Sequence, residues 1–168
     1  MRRLPTPRLP VGAGLVALAG LLAACGGGVG VGSIAAPPTT TPGVTLSLES
    51  SPVGRILATG SGHTLYDFAL DRPGHSACTS SVCVIAWPPL LVHGPPTLAP
   101  GLRRSLVGTI TRPGGGVQVT YCGHPLYTWS GDTEPGMVTG QALNNAGGLW
   151  YVVGPSGRSI TAPFTVGG

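Results

Sequence analysis

A duplication inside the chain limits its fold more than any other feature. Residues 62–71 read Gly-His-Thr-Leu-Tyr-Asp-Phe-Ala-Leu-Asp and recur as residues 123–132, Gly-His-Pro-Leu-Tyr-Thr-Trp-Ser-Gly-Asp, at a constant offset of 61. Six of the ten positions are fixed, as Gly-His-x-Leu-Tyr-x-aromatic-x-x-Asp. Pro73-Gly74 matches Pro135-Gly136 after one inserted residue, and Trp87 falls opposite Trp150. In an extended strand, a tyrosine and the aromatic two residues later project to one side. Tyr66 with Phe68, and Tyr127 with Trp129, are therefore pairs with a large apolar area to bury. One copy alone would leave that face in water, whereas two copies about a pseudo-two-fold axis bury it. Asp71 and Asp132 end each copy just before a Pro-Gly turn, where a carboxylate can accept turn N–H groups.

All nine aromatics lie at or after Tyr66, so the core belongs to the later part of the chain. Apolar residues alternate in short runs with almost no helical period. Strands are read at 44–48, 55–59, 64–68, 84–87, 106–111, 117–121, 125–129, 149–153 and 158–162, a rhythm suited to all-β folds. Pro-Gly dipeptides at 42–43, 73–74, 100–101, 113–114 and 135–136 supply the turns. The fold class is all-β: a compact barrel or sandwich of two tandem repeats, covering 44–168, with motifs near 62–93 and 123–154. With 29 Gly, 18 Pro and 8% charged residues, a coiled coil or helical bundle is excluded, while a 42% hydrophobic share argues against disorder throughout.

Residues 1–24 read as an export signal. Arg2, Arg3 and Arg8 precede an apolar run, Leu9 to Ala24, that is short of the roughly 20 residues a spanning helix needs. The run ends in Leu22-Ala23-Ala24-Cys25, which resembles the lipobox of bacterial lipoproteins and implies cleavage before Cys25 and lipidation of its thiol. Residues 25–43, rich in Gly, Pro and Thr, read as a tether. Removal of the signal leaves six arginines against five acids, so a basic surface for nucleic acid is not expected.

The folded part resembles a family of bacterial secreted-repeat lipoproteins that carry a Tyr-x-[Phe/Trp/Tyr]-x-x-Asp motif. Tyr66-x-Phe68-x-x-Asp71 and Tyr127-x-Trp129-x-x-Asp132 carry the likeness, with Ala86-Trp87-Pro88-Pro89-Leu90 and Trp150-Tyr151-Val152-Val153 in support. It covers roughly residues 54–157. The loop Cys78 to Cys83 is one residue longer than the family spacing, and Cys122 stands where the family more often has Asn. The resemblance implies an envelope lipoprotein and brings no activity with it.

Once Cys25 is lipidated, Cys78, Cys83 and Cys122 remain, in a compartment that permits disulfides. Cys78 with Cys83 is the favoured pair, other pairings stay open, and Cys122 is read as a small buried hydrophobe. Cys122 and His124, with His63 in the equivalent repeat position, are the residues that could take copper or zinc. They lack the spacing of a full ligand set, and no metal or cofactor is assigned. No Gly-x-Ser-x-Gly or His-Glu-x-x-His occurs, so no catalytic residue is named and an enzyme is not expected. The sequence points to a lipid-anchored protein on the extracytoplasmic face of the cell membrane, binding or scaffolding an unknown envelope protein or small ligand. The alternative is an extracytoplasmic metal or redox accessory protein.

Overall fold

The structure is a computed structural model that describes residues 43–162. The signal segment 1–24, Cys25 and the tether up to residue 42 lie outside the described residues. Among the described residues, nine strands form three small antiparallel-dominated sheets, with one α-helix, α1 (Ser81–Ala86). β1 (Thr45–Ser51) and β2 (Gly54–Thr59) form a hairpin, flanked in parallel by β4 (Thr97–Leu98). β5 (Val107–Thr111) and β6 (Val117–Tyr121) form the equivalent hairpin, extended by β7 (His124–Pro125). β3 (Tyr66–Phe68) pairs with β9 (Gly148–Val152), which pairs with β8 (Leu143–Asn145). The architecture is all-β and sandwich-like, and among the described residues no sheet closes into a barrel. No described helix is long and apolar enough to cross a membrane.

The two copies are related by a pseudo-two-fold axis, visible in reciprocal backbone hydrogen bonds. Tyr66 N donates to Tyr127 O at 2.9 Å and Tyr127 N to Tyr66 O at 3.0 Å. Gly136 N donates to Gly62 O, and Gly74 N to Gly123 O, both at 3.0 Å. Each copy also lends a strand-like segment to the other's hairpin. Val119 N donates to Leu90 O at 2.9 Å, and Leu57 N to Val153 O at 2.8 Å. Alternation along the motif strands divides the interior in two. Leu65 and Leu126 face one core with Leu46, Leu57, Val119 and Tyr121. Tyr66 and Tyr127 face the other, with Phe68, Trp87 and Trp150.

Three of the strands read from sequence are revised. Residues 84–87 belong largely to α1, whose first turn is capped by Ser80 Oγ accepting from Cys83 N at 3.2 Å. The β-branched pair Val84-Ile85 opens the stretch read as strand, but here Cys83 is buried while Val82 and Ile85 are 76% and 73% exposed. Residues 125–129 keep one strand residue, Pro125 at the end of β7, and continue through isolated bridges at Tyr127. Residues 158–162 contribute one bridge, Val153 with Ser159, because the chain turns back at Gly154 to Arg158.

Candidate functional site

The motif aromatics build a four-ring column. Phe68 stacks on Trp150 (4.2 Å between centroids), Trp150 on Trp87 (3.9 Å, 2° between planes), and Trp87 on Trp129 (4.3 Å). Tyr66 meets Trp87 edge-on and Tyr127 meets Trp150 edge-on, at 5.4 and 5.1 Å. All lie in the core except Trp129, which is partly buried against it. Asn145 anchors the two central indoles, accepting from Trp87 Nε1 at its side chain and from Trp150 Nε1 at its backbone.

The motif aspartates work across the axis. Tyr66 Oη donates to Asp132 Oδ2 at 2.6 Å, and Tyr127 Oη donates to Asp71 Oδ2 at 2.9 Å, so each copy's tyrosine is held by the other copy's carboxylate. The second oxygens accept loop N–H groups, Ala77 N at 2.7 Å for Asp71 and Thr139 N at 2.9 Å for Asp132. Burial first, then the neighbouring carboxylates, push both phenols well above the usual tyrosine range, so they remain donors. Burial also raises Asp71, against the opposing effects of the Ala77 N–H, the Tyr127 hydroxyl and the Arg112 charge.

Cys78 and Cys83 are joined in a disulfide, and Cys122 is a free thiol. Cys122 is exposed, which corrects its reading as a buried hydrophobe. It opens the two-residue turn between β6 and β7, where the side chain is directed outward rather than into either core. The candidate ligands Cys122, His124 and His63 do not assemble a centre, and among the described residues no three His, Cys, Asp or Glu gather as metal ligands. His124 instead approaches the buried Asp67, with Nδ1 3.8 Å from Oδ2. At His63 the backbone fixes the turn, N–H to Thr59 Oγ1 at 3.1 Å and carbonyl to Thr59 N at 2.8 Å.

Two cavities flank the β5–β6 hairpin. One is an open cleft of about 630 Å³ whose walls include Leu91, Val92, Pro95, Val107 and Val117, with Arg104 also lining it. The other is a pocket of about 230 Å³ beside Ser76, Thr111 and Arg112. Neither was legible beforehand, because each joins residues from distant loops.

A lipoprotein family model, described as a secreted repeat of unknown function, matches residues 108–154. This stretch is similar to a secreted repeat. The matched secreted repeat spans the second copy of the motif, including Tyr127, Trp129, Asp132 and the Trp150 strand. The first copy carries the same signature and completes the repeat's aromatic column and crossed carboxylates. The description as secreted agrees with an extracellular or envelope location. No curated protein and no solved structure matches the chain.

Proposed function

We propose that this protein is an envelope lipoprotein, anchored through a lipid on Cys25, whose duplicated β domain is a non-catalytic module for a small apolar ligand. The observation that carries this reading is the cleft between the loop 91–96 and the β5–β6 hairpin. Its volume falls in the range of small-molecule sites, about 300–1,000 Å³, and its walls are dominated by apolar residues. Leu91 and Val117 are exposed there, while Val92 and Val107 continue the cleft into the second core. A sandwich whose only task was to fold would close such a face. The opposite copy supports this: β4 covers the outer edge of β1, whereas among the described strands β5 pairs with β6 alone. Exposed Arg104 and His93 offer the few polar groups that orient a ligand in an apolar site.

The test is titration of the full chain with N-phenyl-1-naphthylamine, a neutral probe that fluoresces in apolar surroundings. Saturable enhancement is expected, with at least a tenfold loss of affinity in Val117→Glu at unchanged melting temperature. Equal binding by wild type and Val117→Glu, or none by either, would overturn the cleft reading. For the anchor, Cys25→Ala should move the protein to the soluble fraction, and full membrane retention would count against lipidation.

A further inference from the structure

The pseudo-two-fold axis allows each position to be compared with its counterpart, and features the architecture requires should occur twice. Three neighbouring positions break this rule. Leu65 N bonds Leu57 O as Leu126 N bonds Val119 O, so Gln118 stands where the other copy has Ile56. Ala77 N bonds Asp71 as Thr139 N bonds Asp132, so Ser76 stands where the other copy has Val138. The β1–β2 pair Ser51 with Gly54 corresponds to Arg112 with Gly116, so Arg112 replaces Ser51. Ile56 and Val138 pack with Tyr66 in an ordinary apolar core. Around Tyr127, the same space holds a buried arginine, glutamine and serine.

Arg112 is only 9% exposed, and among the described residues no carboxylate lies within ion-pairing distance of it. Its Nη1 donates to Ser76 Oγ (3.0 Å) and Gln118 Oε1, and its Nη2 donates to the Cys78 carbonyl. The nearby negative charge, Asp71, stands behind two hydroxyls, since Ser76 Oγ bonds Tyr127 Oη at 2.7 Å and Tyr127 bonds Asp71. Three of the guanidinium's five N–H donors are thus used, and among the described residues Nε has no acceptor. Among the described residues the sole sealed-off side-chain polar atom without a partner is Asp67 Oδ1, so Nε reaches open space. Arg112 also lines the 230 Å³ pocket, together with Ser76, Thr111 and exposed His75. Burying a charge without a direct counter-ion is costly, and the other copy shows that the fold does without it.

We propose that the Arg112 pocket is a binding site for a small oxyanion, a carboxylate or phosphate group, held by the guanidinium's free edge. Its volume, about eight waters at roughly 30 Å³ each, admits such a group at the end of a longer molecule. Planar oxyanions suit a guanidinium fork through paired charge-assisted bonds.

The experiment follows the Arg112 side-chain Nε–H resonance in the full chain during separate titrations with sodium phosphate and sodium acetate. Sodium chloride at matched ionic strength is the reference. A saturable shift with phosphate alone assigns a phosphate group, with acetate alone a carboxylate, and with both a general oxyanion site. Arg112→Gln could unfold the domain, so the control is Thr111→Trp, which fills the pocket from an exposed strand position. It should retain the wild-type melting temperature and lose at least tenfold in affinity. No shift beyond chloride, or the same shift in Thr111→Trp, would overturn the proposal.

Discussion

Asp67 shows how one buried carboxylate can set a pH dependence. Its Oδ2 accepts from Ser159 Oγ at 2.5 Å, whereas Oδ1 has no partner. Burial raises its carboxyl above the ordinary 3.8, and the charge of Asp71 adds to this, against the Ser159 hydrogen bond and the His124 charge. The native state therefore keeps a proton that the unfolded chain releases. This contribution to stability is complete below 3.8 and is lost as pH rises through the elevated native value. Asp67→Asn removes the charge and keeps an acceptor for Ser159. It should raise stability at neutral pH by about 1–2 kcal/mol and flatten the decline over the interval above pH 3.8. Urea unfolding across that interval checks both, and an unchanged slope would remove Asp67 as the cause. Cys122 offers a second residue-scale test. It sits at φ 52, with Gly123 at φ 82, in the turn joining β6 to β7. An L-residue other than Asn or Gly is disfavoured there, and Asn-Gly is a preferred pair for such a hairpin turn. Cys122→Asn should stabilise by about 1 kcal/mol, read as a higher melting temperature; a lower one would mean that the thiol contributes contacts of its own.

At the scale of elements, the loop from Cys78 through α1 is what most distinguishes the first copy from the second. The helix has a single buried residue, Cys83, and is held by that disulfide and by the Ser80 cap. Closing so short a loop contributes about 2 kcal/mol in the chain-entropy account. The bridge also fixes the Cys78 carbonyl, which accepts from Arg112 Nη2. Cys78→Ser/Cys83→Ser should therefore cost about 2 kcal/mol in denaturant unfolding and disorder the Arg112 resonance, while leaving the β1–β2 hairpin amides protected from exchange. Loss of protection at β1–β2 as well would show that the bridge supports the whole domain. This loop is also where sequence reading failed. Short strand-period runs located β1, β2, β5, β6 and β9, because each turns at least one face to a core, β2 and β6 both faces to the interior. The run Val82 to Ile85 has strand-forming residues on every side, and its helix depends on a cap and a covalent bridge that periodicity does not register. β4 and β8, two and three residues long, are too short to carry a period at all.

For the molecule as a whole, the duplication foretold shared burial of the motif aromatics but not the exchange of partners across the axis. Spacing suggested that Asp71 and Asp132 would serve their own turns; it held no sign that each would also hold the other copy's tyrosine, 56 and 66 residues away. The Ser76, Gln118 and Arg112 cluster was hidden for the same reason, since its members look like ordinary polar loop and strand residues until the fold joins them. This exchange has a consequence for folding. The column places Trp87 of the first copy on Trp150 of the second, and each hairpin takes a backbone partner from the opposite copy. Neither half can therefore complete a core. A protease site inserted after exposed Gly101, between the copies, should leave the cut protein folded, with its near-ultraviolet tryptophan dichroism intact. Separated in denaturant and returned singly to buffer, each half should lack that signal; mixed in equal amounts, the halves should regain it, with a midpoint dependent on concentration. Trp150→Ala should weaken the reassembled pair by about 3–5 kcal/mol, because it removes the ring that touches Phe68, Trp87 and Tyr127 at once. A single half that unfolds cooperatively by itself would mean that each copy is an independent domain, with the axis only a docking interface between them.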